Sequence, residues 1–195
     1  MTWPPQPRIE HRSSVGGFTI VELAMVLVLA GILMSMMAPV FKPGRWRADS
    51  AVQELTFSLN AAQRLAVMKQ HDVVVTFEVE NRRVRVLQDQ DNDGIADSGE
   101  NQQVIDLPET IGFGRGSAPA LPQGPGPVSF RDNGADPTVT FHRNGSASES
   151  GVAYLHPYQG SLSGDTEGVR ALTIERATGE VRCHSYRTGS WEASC

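Results

Sequence analysis

The sequence predicts an α+β protein in which a long N-terminal helix, membrane-spanning in its first half, packs on a β-rich C-terminal head. Three observations predict this fold class. The run from Phe18 to Phe41 is almost entirely apolar, and apolar residues then recur at helical spacing to about Lys69. From residue 73 onward the apolar pattern has the period of two that is typical of strands.

The composition excludes several other classes of protein. Of the 195 residues, 39% are hydrophobic, 20% are charged and two are cysteines, which excludes a collagen, a long coiled coil and a disulfide-dense miniprotein. The formal net charge of −5 argues against nucleic acid as a partner, because binding to a phosphate backbone needs clustered Lys and Arg.

The apolar run from Phe18 to Phe41 is long enough to cross a bilayer, which needs roughly 20 apolar helical residues. It is longer than the apolar region of a secretory signal peptide, which has about 7–15 residues. The small residue near its end, Ala38, is followed by Pro39, a poor context for signal cleavage. We therefore expect a retained membrane helix over 18–41 rather than a removed signal peptide.

Glu22 is the one charged residue of this run. A carboxylate near the start of a membrane helix costs about 2–3 kcal/mol, and such residues ordinarily have a partner. The run contains no base, and the nearest bases, Arg8 and Arg12, lie upstream of it. The partner of Glu22 must therefore come from another chain or from a newly made amino terminus.

The stretch Gly17-Phe18-Thr19-Ile20-Val21-Glu22 follows a polar leader with basic residues and opens an apolar helix. It resembles the processing motif of type IV prepilins and type II secretion pseudopilins. The resemblance implies that prepilin peptidase removes the leader 1–17 by cutting between Gly17 and Phe18, and that the new Phe18 amine is methylated. It also implies a pilin-like fold, with the helix in the inner membrane and the head in the periplasm.

The same resemblance assigns Glu22 to assembly. Its carboxylate is expected to pair with the Phe18 ammonium of a neighbouring subunit inside the bilayer. Such a pair offsets the burial cost of both charges, and it fixes the register in which subunits stack. The apolar helices are then expected to pack together as the filament core.

A kinked amphipathic helix is predicted over 42–70. Pro39 and Pro43 predict a bend or an unwound stretch across 39–45, because Pro cannot donate to the helix ladder. The regular part of the helix is expected to begin near Asp49 or Ser50, since Ser50-Ala51-Val52-Gln53 fits a capping box. Its apolar stripe consists of Val52, Leu55, Leu59, Ala62, Leu65 and Ala66.

The β-rich globular head is predicted over 71–195. The patterns at Val73–Val79 and Arg83–Gln88 predict two strands, joined as a hairpin by Glu80-Asn81-Arg82. The stretch Ser117–Pro127 is rich in Pro and Gly and predicts a loop. Weaker strand patterns lie at 103–107, 128–130, 138–142, 152–156, 171–175 and 180–186.

Two segments of the head resemble the GspH/FimT group of minor pseudopilins. They are Val139–Ala147, which contains Phe-His-Arg-Asn-Gly, and Thr178–Arg182. FimT proteins that bind DNA carry a Gly-Arg-x-Arg motif near the tail, where this chain has Gly179-Glu180-Val181-Arg182. The Glu in place of the first Arg weakens a role in DNA uptake.

The stretch from Asp89 to Glu100 matches the calcium-loop pattern D-x-D-x-D-G-x5-E. Ca²⁺ prefers several oxygen ligands from a flexible acidic loop. The flanks of the stretch look like strands, so this would be a lone calcium loop, and an acidic turn without metal is the alternative. Ca²⁺ is thus a candidate cofactor, and no cofactor is required. The expected ligands are Asp89, Asp91, Asp93, the Ile95 carbonyl, Asp97 and a bidentate Glu100.

Cys183 and Cys195 are the two cysteines of the chain. After export they would lie in an oxidising compartment, where a disulfide would pin the C-terminal tail to the last predicted strand. Two free thiols are the alternative. Elsewhere, no spacing of nucleophile, base or metal ligands forms a catalytic constellation, so we do not expect an enzyme.

Together these features predict a non-enzymatic minor pseudopilin of a type II secretion system, most similar to the GspH type. Its expected partners are prepilin peptidase, other pseudopilins or pilins, the inner membrane and secreted cargo. The first alternative is a minor type IV pilin that acts in pilus assembly or DNA uptake. The second is a membrane-tethered domain that binds calcium or a substrate and never assembles.

Overall fold

The computed structural model describes residues 17–37, 43–132, 136–157 and 168–193. The chain divides into two compact units, Met1–Phe41 and Lys42–Cys195. The first unit contains helix α1, Ile20–Met37. Within its described residues, the second contains helix α2, Pro43–Lys69, and nine strands. The predicted bend falls largely on residues 38–42, which lie outside the described residues.

Helix α1 begins where Thr19 caps it. The Thr19 Oγ1 accepts a hydrogen bond from the Glu22 N–H at 3.2 Å, and the Thr19 carbonyl accepts the first helical bond, from the Leu23 N–H, at 3.1 Å. Apolar side chains are exposed on every side of the helix, from Ile20 at 87% to Ile32 at 52%. In the described ranges, no helix combines the length and the hydrophobicity that crossing a membrane requires.

Helix α2 begins at Pro43, six or seven residues earlier than the sequence analysis predicted. Proline fits the first position of a helix, because its φ is preset and the N–H that it lacks would have no helical partner there. The predicted capping box at Ser50 is therefore wrong: Ser50 lies inside the helix and is exposed. The buried face of α2 consists of Ala48, Ala51, Val52, Leu55, Leu59, Ala62 and Ala66.

The first sheet has the strand order β3-β2-β1-β5, and all its pairs are antiparallel. The predicted hairpin is confirmed: β1 and β2 pair over their whole length, from Asp72 opposite Asp89 to Glu78 opposite Arg83. The period of two is visible in β1, where Val73, Val75 and Phe77 are fully buried. The strands are β1 (Asp72–Glu78), β2 (Arg83–Asp89), β3 (Gln102–Asp106) and β5 (Thr138–Phe141).

The second sheet has the order β4-β6-β7-β8-β9 and is also antiparallel. Two of its strands, β4 and β9, have three residues each and were not predicted. The predicted strand at 128–130 forms only a single bridge, from Val128 to Ala153. The strands are β4 (Ile111–Phe113), β6 (Gly151–Pro157), β7 (Arg170–Ile174), β8 (Val181–Arg187) and β9 (Ser190–Glu192).

One hydrophobic core joins α2 to both sheets. Leu55 and Leu59 of α2 are fully buried in the same cluster as Phe77 of the first sheet and Leu155 of the second. The rings of Phe77 and Phe130 stack with their centroids 5.3 Å apart, which fills the space between the layers. The α+β class predicted from the sequence is confirmed.

Candidate functional site

The predicted processing site lies at the start of the described chain. Gly17, Phe18 and Thr19 precede α1 without regular structure, and Phe18 is 83% exposed. A Cβ built on Gly17 meets no atom within 4 Å, so the fold itself makes no steric demand for glycine there. Cleavage after Gly17 and methylation of Phe18 stay predictions.

Glu22 occupies the third position of α1, and its backbone N–H is the donor that Thr19 caps. A carboxylate in the first turn is stabilised by the positive end of the helix dipole, by about 0.3–1 kcal/mol at an exposed position. Thr19-x-x-Glu22 is thus a capping-box sequence, a signal that the sequence analysis missed. Glu22 therefore has a role in starting α1 that is separate from the predicted pairing with Phe18.

The acidic loop, residues 89–100, joins β2 to β3. It brings three of the predicted calcium ligands together: one carboxylate oxygen each from Asp89, Asp91 and Asp93 lies within 4.8 Å of the others. Asp89 is only 2% exposed, and its carboxylate accepts hydrogen bonds from the N–H groups of Asp93 at 3.1 Å and Gly94 at 2.8 Å. Clustered carboxylate oxygens are the hard donors that Ca²⁺ prefers.

The carboxylates of Asp97 and Glu100 do not belong to that cluster. The Glu100 carboxylate accepts the N–H of Gln90 at 2.7 Å and the N–H of Asp97 at 3.0 Å, and these backbone bonds lower the pKa of Glu100. The Asp93 charge is the main cause that raises the pKa of Asp97. Glu100 therefore links the two ends of the loop through backbone hydrogen bonds. The Ile95 N–H donates to Asp93 Oδ1 at 2.7 Å. Calcium binding stays a prediction.

Two hydrogen bonds that share Asp72 connect the acidic loop to the first sheet. The Asn92 Oδ1 accepts the Asp72 N–H at 2.7 Å, and the Asp72 Oδ2 lies 2.8 Å from the His142 Nδ1. Asn92 has a φ of 62°, a left-handed conformation that Asn tolerates better than most residues. Sequence reasoning missed these two hydrogen bonds, because they join residues that are 20 and 70 positions apart.

Several side chains of the last long strand, β8, contact neighbouring side chains of the fold. Arg182 forms two hydrogen bonds of 2.8 Å to Glu180, the residue that stands in place of the first Arg of the FimT motif. The His184 Nε2 lies 3.0 Å from Thr173 Oγ1, and Tyr186 packs against Trp191 with ring centroids 5.2 Å apart. The Arg182 guanidinium is therefore paired with a carboxylate of its own chain.

Cys183 lies on β8 and is disulfide-bonded. Its predicted partner, Cys195, lies outside the described residues. The pairing of these two cysteines stays a prediction.

No protein-family model and no curated protein matches the chain. Two structures of the minor pseudopilin EpsH from the type 2 secretion system of Vibrio cholerae are similar to it. One is 17% identical, with a TM-score of 0.48 over 71% of this chain and 97% of that chain. The other is 18% identical, with a TM-score of 0.47 over 75% and 99%. The type IV minor pilin FimU of Pseudomonas aeruginosa is 16% identical, with a TM-score of 0.41 over 75% and 98%.

Proposed function

We propose that this chain is a minor pseudopilin subunit of a type II protein secretion system. It would be made with the leader 1–17, cut by prepilin peptidase between Gly17 and Phe18, and held in the inner membrane by 18–41. It would then assemble into a periplasmic pseudopilus through that helix. The observation that carries the proposal is Glu22, the one charge of an otherwise apolar segment, which lies one turn after the Gly17–Phe18 bond.

The character of α1 supports a role in lipid or in a bundle of helices. Its apolar side chains are exposed on all sides, so no face is suited to water. Removing that surface from water is favourable by about 25 cal/mol per Å². Gly31 and Ser35 lie one turn apart and present little bulk, which permits close approach of a second helix.

The Phe18–Glu22 pair supplies the assembly step. Cleavage after Gly17 creates a Phe18 ammonium, and in lipid both this cation and the Glu22 carboxylate are costly when unpaired. Pairing Glu22 of one subunit with Phe18 of its neighbour offsets both costs. Loss of one partner of such a buried pair is strongly destabilising, by about 3–5 kcal/mol, because it leaves an uncompensated charge.

A minor type IV pilin remains the alternative role, since the processing motif is shared by both systems. Two observations disfavour a role in DNA uptake for such a type IV pilin. The net charge is −5, and Arg182 is already held by Glu180. Other pseudopilins and secreted cargo are the proposed partners of the head, and the chain would act without catalysing a reaction.

Two measurements test the proposal in the native host. Mass spectrometry of the mature chain should find methylated Phe18 at its amino terminus, and a chain that begins with Met1 would contradict the proposal. Glu22→Ala should abolish secretion, although the chain is still cut and still folded. Glu80→Ala, which removes an exposed carboxylate in the turn between β1 and β2, is the matched control and should secrete normally. Retained secretion by Glu22→Ala would favour the tethered, non-assembling domain.

The choice between the two systems needs a separate readout. Deletion of the gene should stop export of secreted enzymes and leave pilus-dependent motility intact. The reverse result would assign the chain to a type IV pilus. Tight binding of DNA by the full chain at physiological salt would favour DNA uptake.

A further inference from the structure

Strand β3 lies at one end of the first sheet and, among the described strands, pairs only with β2. This pairing continues past both of its ends. The Gln88 N–H donates to the Asn101 carbonyl, and the Leu107 N–H donates to the Arg82 carbonyl, both at 2.9 Å. Hydrogen-bonded pairs alternate with non-bonded pairs along an antiparallel ladder. In the register of β2 and β3, the residues that bond to β2 are therefore 101, 103, 105 and 107.

The other residues of β3 direct their backbone groups away from the sheet. The N–H and C=O groups of Gln102, Val104 and Asp106 point outward, and none of them has a hydrogen bond to another described residue. Their side chains are exposed and lie on the face opposite the buried Ile105. We call Gln102, Val104 and Asp106 the free edge.

The opposite end of the same sheet is closed. The outward backbone groups of β5 have partners, since the Thr138 N–H donates to the Arg131 carbonyl at 2.9 Å and the Thr140 carbonyl accepts the Ser148 N–H at 2.8 Å. The edge strands of the second sheet, β4 and β9, have three residues each. An unpaired edge is a template for another strand, and proteins ordinarily cover or shorten it. Within the described ranges, the free edge is the longest one that is left uncovered.

Acidic residues flank the free edge at both ends. The nearest bases, Arg83 and Arg85 of β2, both form ion pairs with Glu78. A cationic partner is therefore attracted to the free edge, whereas a second copy of this chain would bring its own acids against these. From residue 86 to residue 114 the chain has no Lys or Arg and seven acidic residues, which are Asp89, Asp91, Asp93, Asp97, Glu100, Asp106 and Glu109.

We infer that the free edge pairs in the antiparallel direction with an extended segment of another protein that carries Lys or Arg near both of its ends. Antiparallel pairing lets Val104 exchange two backbone hydrogen bonds with the residue opposite it. It also sets a basic side chain of the partner opposite Asp106, and opposite charges across a strand pair attract each other. Backbone bonds then supply affinity, and the charges select the partner. The inference goes beyond the proposed function, because it uses no residue of 1–41.

A fluorescein-labelled peptide, Lys-Lys-Thr-Val-Thr-Lys-Lys-amide, tests the pairing against the full chain in detergent. With its Val opposite Val104, the second, fourth and sixth amides of the peptide face the free edge. N-methylation of those three amides should abolish binding measured by fluorescence anisotropy. N-methylation of the third and fifth amides, which face away, should change the Kd by less than about twofold.

The same peptide series separates strand pairing from attraction between charges. Replacement of its four Lys by Glu should abolish binding, because the free edge is flanked by acids. Binding that both methylated peptides keep would show charge attraction alone and would overturn the inference. No binding of the unmodified peptide would overturn it as well.

A substitution on the free edge tests the contact from the side of the protein. Val104→Pro removes an N–H that no described residue accepts, and proline is tolerated on an edge strand where that group faces solvent. It should weaken binding of the peptide roughly tenfold, whereas Val104→Thr, which keeps the N–H, should bind normally. Melting temperatures show whether both variants are folded, and the methylated peptides decide if Val104→Pro is not. Undiminished binding by folded Val104→Pro would overturn the inference.

Self-association and processing are measured on the same samples. A dimer of the wild-type chain that Val104→Pro abolishes would assign the free edge to a second copy and overturn the inference. Mass spectrometry of the mature amino terminus reports on the proposed function separately. Methylated Phe18 without peptide binding would overturn the inference alone, and peptide binding by a chain that begins with Met1 would contradict only the proposed function.

Discussion

The Arg170 Nε lies 2.6 Å from the Asp49 Oδ1 and joins strand β7 to helix α2. The Arg170 side chain is 1% exposed, whereas that of Asp49 is 33% exposed. Arg170 also donates to the Val169 carbonyl at 2.9 Å. A buried guanidinium needs such partners, because a buried charge without them is costly. This ion pair therefore helps to fix the first half of α2 against the second sheet.

Substitutions of Asp49 and of Arg170 should lower the free energy of unfolding by different amounts. Asp49→Ala leaves the buried Arg170 charge with fewer partners and should cost about 2 kcal/mol of unfolding free energy. Arg170→Met fills a similar volume without a charge, and the Asp49 left behind is accessible to water, so its cost should be smaller. Urea unfolding of the full chain in detergent measures both. A larger loss for Arg170→Met than for Asp49→Ala would contradict this account.

Local patterns predicted much of this fold and little of what holds its parts together. The period of two marked β1, because Val73, Val75 and Phe77 are all buried in the core. In contrast, β4 and β9 have three residues each, too few for a period to show. The contact between Asp49 and Arg170 spans 121 positions, which no local signal encodes.

In the candidate sites too, local features were predicted and features that depend on the folded conformation were not. The acidic loop was predicted from its spacing, and Asp89, Asp91 and Asp93 do lie together. The bonds of Glu100 to the N–H groups of Gln90 and Asp97 were not predicted, because they depend on how the loop turns back on itself. The cap on α1 was readable from Thr19-x-x-Glu22, since both halves of that motif are local.

Stability should fall at acidic pH partly through Glu78, which is 3% exposed on β1. Burial raises the pKa of Glu78, but hydrogen bonds from Asn81 and Arg83 and the charges of Arg85 and Arg83 outweigh it and leave the pKa below its ordinary 4.5. A lowered pKa gives stability that is fully present above the unfolded value and is lost as the pH falls through the folded one.

The wild-type chain should therefore lose stability below about pH 4.5 more steeply than Glu78→Gln, which cannot titrate. Urea midpoints measured from pH 7 to pH 3 test this expectation. Glu180→Gln, which removes an exposed pair with Arg182, is the control and should change the profile little. Parallel pH profiles for wild type and Glu78→Gln would show that Glu78 does not contribute to the pH dependence of stability.

Replacement of Gly17 should block processing without disturbing the fold. Gly17→Val should leave the leader attached, because the proposed peptidase acts at the Gly17–Phe18 bond. No described atom lies within 4 Å of the added Cβ, so the melting temperature should not change. Intact-mass measurement of the membrane-bound chain reports the leader directly. Gly31→Ala, at another open glycine of the same segment, is the control and should be processed normally. Normal processing of Gly17→Val would refute the cleavage site.

Calcium should stabilise the chain if the acidic loop binds it. A ligand that binds only the folded state adds about 2.7 kcal/mol at a concentration 100-fold above its Kd, so the melting temperature in detergent should rise with Ca²⁺. Binding also relieves the repulsion among Asp89, Asp91 and Asp93, whose oxygens lie within 4.8 Å of one another. The paired substitution Asp91→Asn and Asp93→Asn keeps the side-chain size and the Oδ1 atoms that accept backbone N–H groups, but it removes two charges. It should abolish the rise.

The control for the paired substitution of Asp91 and Asp93 is an acidic residue outside the loop. Asp106→Asn on β3 changes the net charge in the same direction and should leave the calcium effect intact. Mg²⁺ at the same concentration should have a smaller effect, because it demands a tighter octahedral site and gives up its water reluctantly. If millimolar Ca²⁺ leaves the melting temperature of the wild-type chain unchanged, the loop is an acidic turn that the backbone bonds of Asp89 and Glu100 hold without metal.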